Sequence, residues 1–344
     1  MAVDLGGRTT KAVLMQRSSA GVALQRYALL DAPFQKSITP DTLAEHLGQI
    51  MAALESKTKH VSLAIGANES LLRHTEMPQM PVSDMRQILK VSAKSYLQQD
   101  LPNHVFDCQI VLPRKEREAN KETKTVGSGG PNKFKILVAG AKRQLVSDIQ
   151  TAVKNAGLRA VDIVPGVIGP VNTFEAAMPQ VFAQGVVALV DIGFLHTTIC
   201  LLDDGELVLS RVVNIGGDKL TNGLVEMMGI SYAEAEGIKV GMAAEVQSSL
   251  ESLIAPLGAE LRASIDFFEH QQEKHVSQVY LSGASSRSEF VVKILEAELM
   301  VPCKTWSPIT GNIQLALPPQ QLVNIEQDAG QLQVAIGTAV TALS

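Results

Sequence analysis

One pattern occurs twice in this chain, and it constrains the fold more than any other feature. Val3-Asp4-Leu-Gly6-Gly7-Arg-Thr9-Thr10-Lys11-Ala-Val-Leu14 is matched without a gap by Val190-Asp191-Ile-Gly193-Phe-Leu-His-Thr197-Thr-Ile-Cys-Leu201. Asp4 lies over Asp191, Gly6 over Gly193 and Thr10 over Thr197. In each copy an apolar run ends in aspartate, a polar turn follows, and an apolar strand resumes. This reads as two hairpins, each opening its own α/β lobe, with the turns facing each other across a cleft. Both turns would then grip one polyphosphate from opposite sides. Gly6 and Gly7 permit positive φ and close approach of a ligand to the backbone. Successive free N–H groups in such a turn cradle phosphate oxygens. Thr9 and Thr10 add hydroxyl donors, Lys11 adds a cation, and Asp4 holds a metal through water. A single Gly-rich hairpin turn with no ligand is the plain alternative, which the repeat disfavours.

Length supports two lobes, because 344 residues exceed what one hydrophobic core usually organises. The net charge of −5 argues against a chain built to coat nucleic acid. Cys108, Cys200 and Cys303 are far apart and form no CxxC, so buried reduced thiols are expected. The longest apolar runs fall well short of the ~18 residues of a membrane span, and no secretory signal opens the chain. Only three residues precede Asp4, so the first strand reads as clipped.

The order of elements fills in the lobes. Val22–Leu30 reads as a strand, Thr39–Leu54 as an amphipathic helix, and Val61–Ile65 as a buried strand. From Met77 the character changes. Ser83 is the expected N-cap of a helix through Leu97, and Phe106–Leu112 is a strand. Pro113–Lys135 is polar and Gly-rich, with seven Lys/Arg against three Glu, and is expected as a mobile loop. Lys135–Ala139 is its partner strand, and a helix ends at Gly157. This compact α+β insert is placed at 77–156. In the second half, Asn214-Ile-Gly216-Gly217 leads into a helix, a candidate anion site. Ser231-Tyr-Ala-Glu234 is a capping box. Glu236 and Lys239, at i and i+3, read as a surface ion pair when taken alone. His270 and His275 share no face and suggest no metal site. Val276–Ser282 is a strand that ends in Gly283-Ala284-Ser-Ser-Arg287. Trp306 is expected as packing, and a final helix contains Gly337.

Taken in order, these motifs resemble the actin/hexokinase/heat-shock-chaperone superfamily. Within it they resemble the PilM family of type IV pilus assembly, which is related to FtsA. The two phosphate turns are Asp4-Leu-Gly6…Lys11 and Asp191-Ile-Gly193…Thr197. The adenosine motif is Leu281-Ser-Gly283-Ala-Ser-Ser-Arg287 and the closing connector is Ala335-Ile-Gly337-Thr-Ala339. Ala93-Lys-Ser-Tyr96, Leu101-Pro102, Phe106-Asp107 and Ala156-Gly-Leu158 resemble the entry to and exit from the family's inserted subdomain. Arg211…Ile215-Gly216-Gly217 and Ala235-Glu236-Gly-Ile-Lys239 resemble its second-lobe segments. The chain departs from the usual Gly-Gly at Gly283-Ala284 and from a following Pro-Gly at Ser288-Glu289.

The resemblance implies an α/β, actin-like, duplicated two-lobe fold. Residues 1–76 and 157–184 would form the first lobe, 77–156 the insert, 185–220 and 276–344 the second lobe, and 221–275 its helical subdomain. The final helix is free to pack back on the first lobe. It implies ATP between the lobes, held by Gly6, Gly7, Thr9, Thr10, Lys11, Gly193 and Thr197, with Gly216 and Gly217 nearby. Glu236 and Lys239 would reach the ribose or adenine edge, and Gly283, Ala284 and Arg287 the adenine face. Asp4 and Asp191 would position Mg²⁺, and Asp191 would polarise an attacking water in what is at most a weak ATPase. The implied function is a cytoplasmic scaffold at the inner face of the inner membrane. It would bind the cytoplasmic N-terminal tail of a bitopic, PilN-like pilus assembly protein, self-associate in some settings, bind no nucleic acid, and meet the membrane only through partners. A small-molecule kinase of the superfamily and a scaffold without hydrolysis remain alternatives.

Overall fold

The repeat is realised as two hairpins of identical register. In the computed structural model, which describes residues 1–18, 21–33, 39–111, 133–241 and 246–343, β1 (Ala2–Asp4) pairs with β2 (Thr9–Ser18). β9 (Val186–Ile192) pairs with β10 (Thr197–Asp203) in the same way. Asp4 stands opposite Lys11, and Asp191 opposite Thr198. Even the irregularity where the third strand joins is repeated. The ladder of β2 with β3 (Gly21–Asp31) shifts between Leu14 and Met15, and that of β10 with β11 (Glu206–Val213) between Leu201 and Leu202.

Each hairpin is then extended by parallel strands. In the first lobe β1 pairs with β4 (His60–Ile65), which pairs with β8 (Arg159–Pro165). In the second, β9 pairs with β12 (Gln278–Ser282), which pairs with β13 (Cys303–Thr305). The buried β9 sequence Val-Val-Ala-Leu-Val-Asp-Ile shows why the sheets stack as layers. Successive side chains of a strand point to opposite faces. Val186, Ala188, Val190 and Ile192 face an outer core, and Val187 and Leu189 face a central one. The outer core of the second sheet is closed by α5 (Gly217–Met228), α6 (Tyr232–Gly241), α7 (Gln247–Gln272) and α8 (Glu289–Leu299). That of the first sheet is closed by α1 (Pro40–Ala53) and α3 (Arg143–Asn155).

Between the sheets lie α4 (Gly169–Ala177) and α9 (Gln333–Leu343), packed in one core with Phe174, Tyr280 and Trp306. Phe174 meets both other rings edge-on, so Trp306 is packing, as expected. The two helices cross at glycine. A Cβ on Gly337 would stand 1.9 Å from the Gly169 carbonyl oxygen, and one on Gly169 2.7 Å from the Val334 Cα. No larger residue allows this crossing without moving the helices apart.

The packing divides the chain differently from the sequence-based boundaries in three places. Residues Ser70–Pro78 form β5, which pairs with β7 (Lys133–Lys142), itself paired with β6 (His104–Ile110). The inserted sheet therefore starts at Ser70, before the expected 77. Its core is Met77, Ile136 and Val138 with Met85 and Leu89 of α2 (Val82–Leu97). The helix expected to close the insert, α3, lies instead on α1, where Ile149, Ala152 and Val153 fill the first-lobe core. The stretch 276–344 is also shared. β14 (Ile313–Leu315) adds to β3, while α9 packs on β1, β2 and β4, the packing back on the first lobe that the sequence reading allowed. Isolated short strands carry too little periodicity to show which sheet they join. Ser83 is not the N-cap of α2. The cap position is Pro81, whose carbonyl accepts from Asp84 and Met85, and the Ser83 hydroxyl donates to Asp84. Most of the expected Pro113–Lys135 loop lies outside the described residues.

Candidate functional site

Strand alternation decides which side chains of the hairpins reach the cleft. Ala2 and Val13 face the central core, so Asp4 and Lys11 face the same way, towards the second lobe. Val187, Leu189 and Cys200 do likewise in the other lobe, which brings Asp191 and Thr198 to the facing side. Lys11 Nζ lies 3.2 Å from Asp4 Oδ2. Asp191 Oδ1 accepts hydrogen bonds from the Ser282 hydroxyl at 3.2 Å and from the Gln333 amide. Asp191 is half-buried at the cleft floor. Loss of hydration pushes its carboxyl above the usual range; Asp4 adds to this, and Lys11, Ser282 and Gln333 oppose it.

The same alternation turns two threonine side chains inward, among them the Thr10 hydroxyl expected as a ligand donor. Thr10 and Thr197 are fully buried and point away from the cleft. Thr10 Oγ1 is 2.9 Å from His46 Nε2 on α1, and the Thr197 hydroxyl donates to the Ile215 carbonyl at 2.6 Å. Adjacent strand residues cannot share a face, so with Lys11 and Thr198 at the cleft, their neighbours serve the cores. Burial lowers the proton affinity of His46, with a hydrogen bond to Gln49 opposing it.

The turns differ in what their backbones offer. In the first, the N–H groups of Gly6, Gly7 and Arg8 have no hydrogen-bond partner among the described residues. In the second, the Gly193 N–H donates to the His196 carbonyl. The N-terminus of α5 docks on this second turn. The Gly217 N–H donates to the Gly193 carbonyl and the Asp218 N–H to the Phe194 carbonyl, each at 2.9 Å. The expected anion site at Gly216-Gly217 is thus spent on carbonyls. Gly216 is needed for closeness: a Cβ there would lie 2.4 Å from the Phe194 oxygen.

Glu236 and Lys239 form more than a surface pair. Lys239 is buried, and its ammonium donates to the Gly217 carbonyl (3.2 Å), the Thr221 hydroxyl (2.8 Å) and Glu236 Oε2 (2.8 Å). All three donors are used. Burial by itself would raise the Glu236 carboxyl, but Lys239, Thr221 and the Arg8 charge outweigh it and hold the group below the usual 4.5. Glu236 also reaches across the lobes: Arg8 Nη1 of the first turn is 3.5 Å from its Oε1, and the guanidinium sits 5.5 Å over the Phe194 ring. A Cβ on Gly7 would meet the Leu195 side chain of the second turn at 3.0 Å.

These contacts leave a cavity of about 90 Å³ bounded by Asp4, Thr9, Lys11, Asp191, Gly193, Gly217, Glu236, Lys239, Gly283 and Ala284. Ten of the sequence-assigned residues therefore meet at one place. Arg287 does not. It faces a separate cavity and lies 3.8 Å from Asp328, because the short turn after Gly283 directs it to the far side. Gly283 itself has φ +89°, and a Cβ would strike the Ile192 carbonyl. On the other side of the Asp4–Lys11 pair, Gly6, Gly7, Leu195 and His196 open onto a cavity of about 550 Å³. Gln333, Ser282, Arg8 and His46 were not singled out from sequence. Gln333 carries a faint signal, a polar residue opening an otherwise apolar helix; Arg8 and Ser282 lie inside the repeated turn and the Gly283 motif, and His46 carries none.

The family model for type IV pilus assembly protein PilM matches residues 2–343. The chain belongs to the PilM family. Its fold is similar over 99% of its length to that of a PilM–PilN type IV pilus biogenesis complex, covering 98% of that chain, with a TM-score of 0.84 at 20% identity. More distant folds are the ethanolamine utilization protein EutJ of Carboxydothermus hydrogenoformans (TM-score 0.53, 16% identity, 98% and 88% coverage) and MreB5 of Spiroplasma citri bound to AMPPNP (0.51, 11%, 98% and 94%). Cell division protein FtsA of Bacillus subtilis is 26% identical over 210 residues, 59% of this chain and 44% of that protein. The chain therefore spans less than half the length of that curated relative. The fold class is the actin-like, two-lobe one expected. No helix among the described residues is long and apolar enough to cross a membrane.

Proposed function

We propose that this PilM-family chain is an ATP-binding, actin-like scaffold for type IV pilus assembly. On this reading it binds the N-terminal cytoplasmic tail of a PilN-like inner-membrane protein, which tethers it to the inner face of that membrane. The observation that carries the nucleotide part is the pair of register-matched hairpins whose aspartates meet in one cleft beside Lys11.

The residues suit Mg·ATP. Gly6, Gly7 and Arg8 offer N–H donors without a partner among the described residues, Lys11 adds charge, and two carboxylates face each other, which suits a cation that keeps several waters. When bound, the cation would supply charge neutralisation between the phosphates. The chain's own part is positioning: the turns orient the phosphates, and Glu236, fixed by Lys239, waits at the sugar end of the cleft. The cavity is smaller than the roughly 300–1,000 Å³ of ligand pockets, so binding requires the lobes to open and Arg8 to leave Glu236. The groove we assign to the tail lies between β5 of the insert and β11. It measures about 700 Å³ and is lined by Asn68, Leu71, Arg73, His196, Arg211 and Asn214.

The test is a Mg·ATP titration of the purified chain by calorimetry, with and without PilN-like tail peptides. Saturable binding of both is expected, with the tail lost in Leu71→Asp. Tail binding with no heat from Mg·ATP would favour the scaffold without nucleotide. Phosphate transfer to a sugar or small acid, faster than to water, would favour the kinase.

A further inference from the structure

The two aspartates of the cleft are restrained by different chemistry. Asp4 faces the Lys11 ammonium across its own ladder. The matching position opposite Asp191 is Thr198, so the second ladder supplies no cation there. Neutral donors take its place, the Ser282 hydroxyl from the neighbouring strand and the Gln333 amide from the start of α9. Gln333 is only 2% exposed and forms part of the wall of the cleft cavity. Its Oε1 has no hydrogen-bond partner among the described residues. A buried acceptor left unpaired is unfavourable, so something is expected to answer it. The amide orientation follows from Asp191: exchanging its oxygen and nitrogen would set two acceptors face to face.

What an amide oxygen beside a carboxylate lacks is a donor. The ligand class that brings donors to two aspartates is a hydrated divalent cation, because Mg²⁺ retains several of its waters. We propose that Gln333 is a positioning residue for that cation: Nε2 fixes the Asp191 carboxylate, and Oε1 accepts from a water of the cation's shell. The proposal rests on the nucleotide reading above. It also makes α9 the reporter of the site. That helix crosses α4 at Gly337 and packs on the first-lobe sheet, so Gln333 ties the second hairpin to the helix pair between the sheets.

The experiment measures ATP affinity of the full chain by calorimetry, with Mg²⁺ and with EDTA, and checks each variant's fold by thermal melting. Gln333→Met is expected to weaken Mg·ATP by about 5- to 10-fold, the value of one hydrogen bond. It is expected to leave metal-free ATP within about twofold. In an Asp191→Asn background the same change should cost no more than about twofold, as a shared interaction requires. Equal losses with and without Mg²⁺, or an undiminished loss in the Asp191→Asn background, would overturn the proposal and leave Gln333 a packing residue. Parent protein that binds ATP with no response to the metal would also overturn it while the nucleotide reading stands. Parent protein that binds no ATP in either condition would overturn both.

Discussion

The first and second hairpins share register, bulge position and aspartate, yet they are chemically unlike. The first is charged and open: Lys11 neutralises Asp4, and three turn N–H groups have no partner among the described residues. The second is neutral and closed: Thr198 replaces lysine, its turn carbonyls are capped by α5, and serine and glutamine hold Asp191. A duplicated frame can thus divide labour. On the proposed reading, one turn would offer donors and a cation to an anionic ligand, and the other would keep a carboxylate without a counter-charge of its own for a metal. The difference needs only a few substitutions, because the ladder itself specifies where each side chain points.

The asymmetry can be broken in graded steps. Lys11→Met should have the largest effect. It removes the phosphate-facing cation and strands Asp4, which is mostly buried, so stability should fall by about 3 kcal/mol and Mg·ATP binding should be lost. Urea melts and calorimetry read the two, and Asp4→Asn in the same chain should recover most of the stability. Thr198→Lys would make the hairpins alike. A cation opposite Asp191 should weaken Mg·ATP about tenfold without weakening metal-free ATP; unchanged metal dependence would sink the division of labour.

Smaller effects test the inward-facing threonines and the lobe contacts. Thr10→Val and Thr197→Val should each cost about 1–2 kcal/mol in stability while leaving nucleotide affinity intact, since neither side chain reaches the cleft. For Glu236 the sign follows from its depressed carboxyl. Its stabilising contribution is present above the usual 4.5 and is lost as pH falls through the lower folded value. Denaturation of Glu236→Gln against the parent should show a gap at pH 6 that closes on acidification. Arg8→Ser should be smallest. The Arg8–Glu236 pair is partly exposed, and such pairs contribute about 0–1 kcal/mol. Releasing it should tighten Mg·ATP by a few-fold at most, less at high salt.

Much of this was legible in the chain itself. The gapless match of Asp4 with Asp191 carried the two-lobe frame. The Ser231–Glu234 capping box forms reciprocally, with the Ser231 N–H and hydroxyl on Glu234 and the Glu234 N–H on Ser231. Thr39 caps α1 through the Thr42 N–H. These features are local, decided by hydrogen bonds within a few residues or by period-two patterning. What the chain alone left ambiguous was facing and partnership. Thr10 and Lys11 are neighbours and both polar, and only the placement of α1 with His46 sends one inward. The Gly216-Gly217 helix start has free donors in isolation, and only the docked second turn consumes them. Glu236 and Lys239 read as solvated because i,i+3 spacing says nothing of the lobe that covers them. Gln333 meets Asp191 across 142 positions of chain, a contact that no local pattern encodes. Sequence determined the repeated frame and the residues that carry charge. Tertiary structure decided which of them share the cleft, because burial and pairing are set by the elements packed against a residue rather than by its neighbours in the chain.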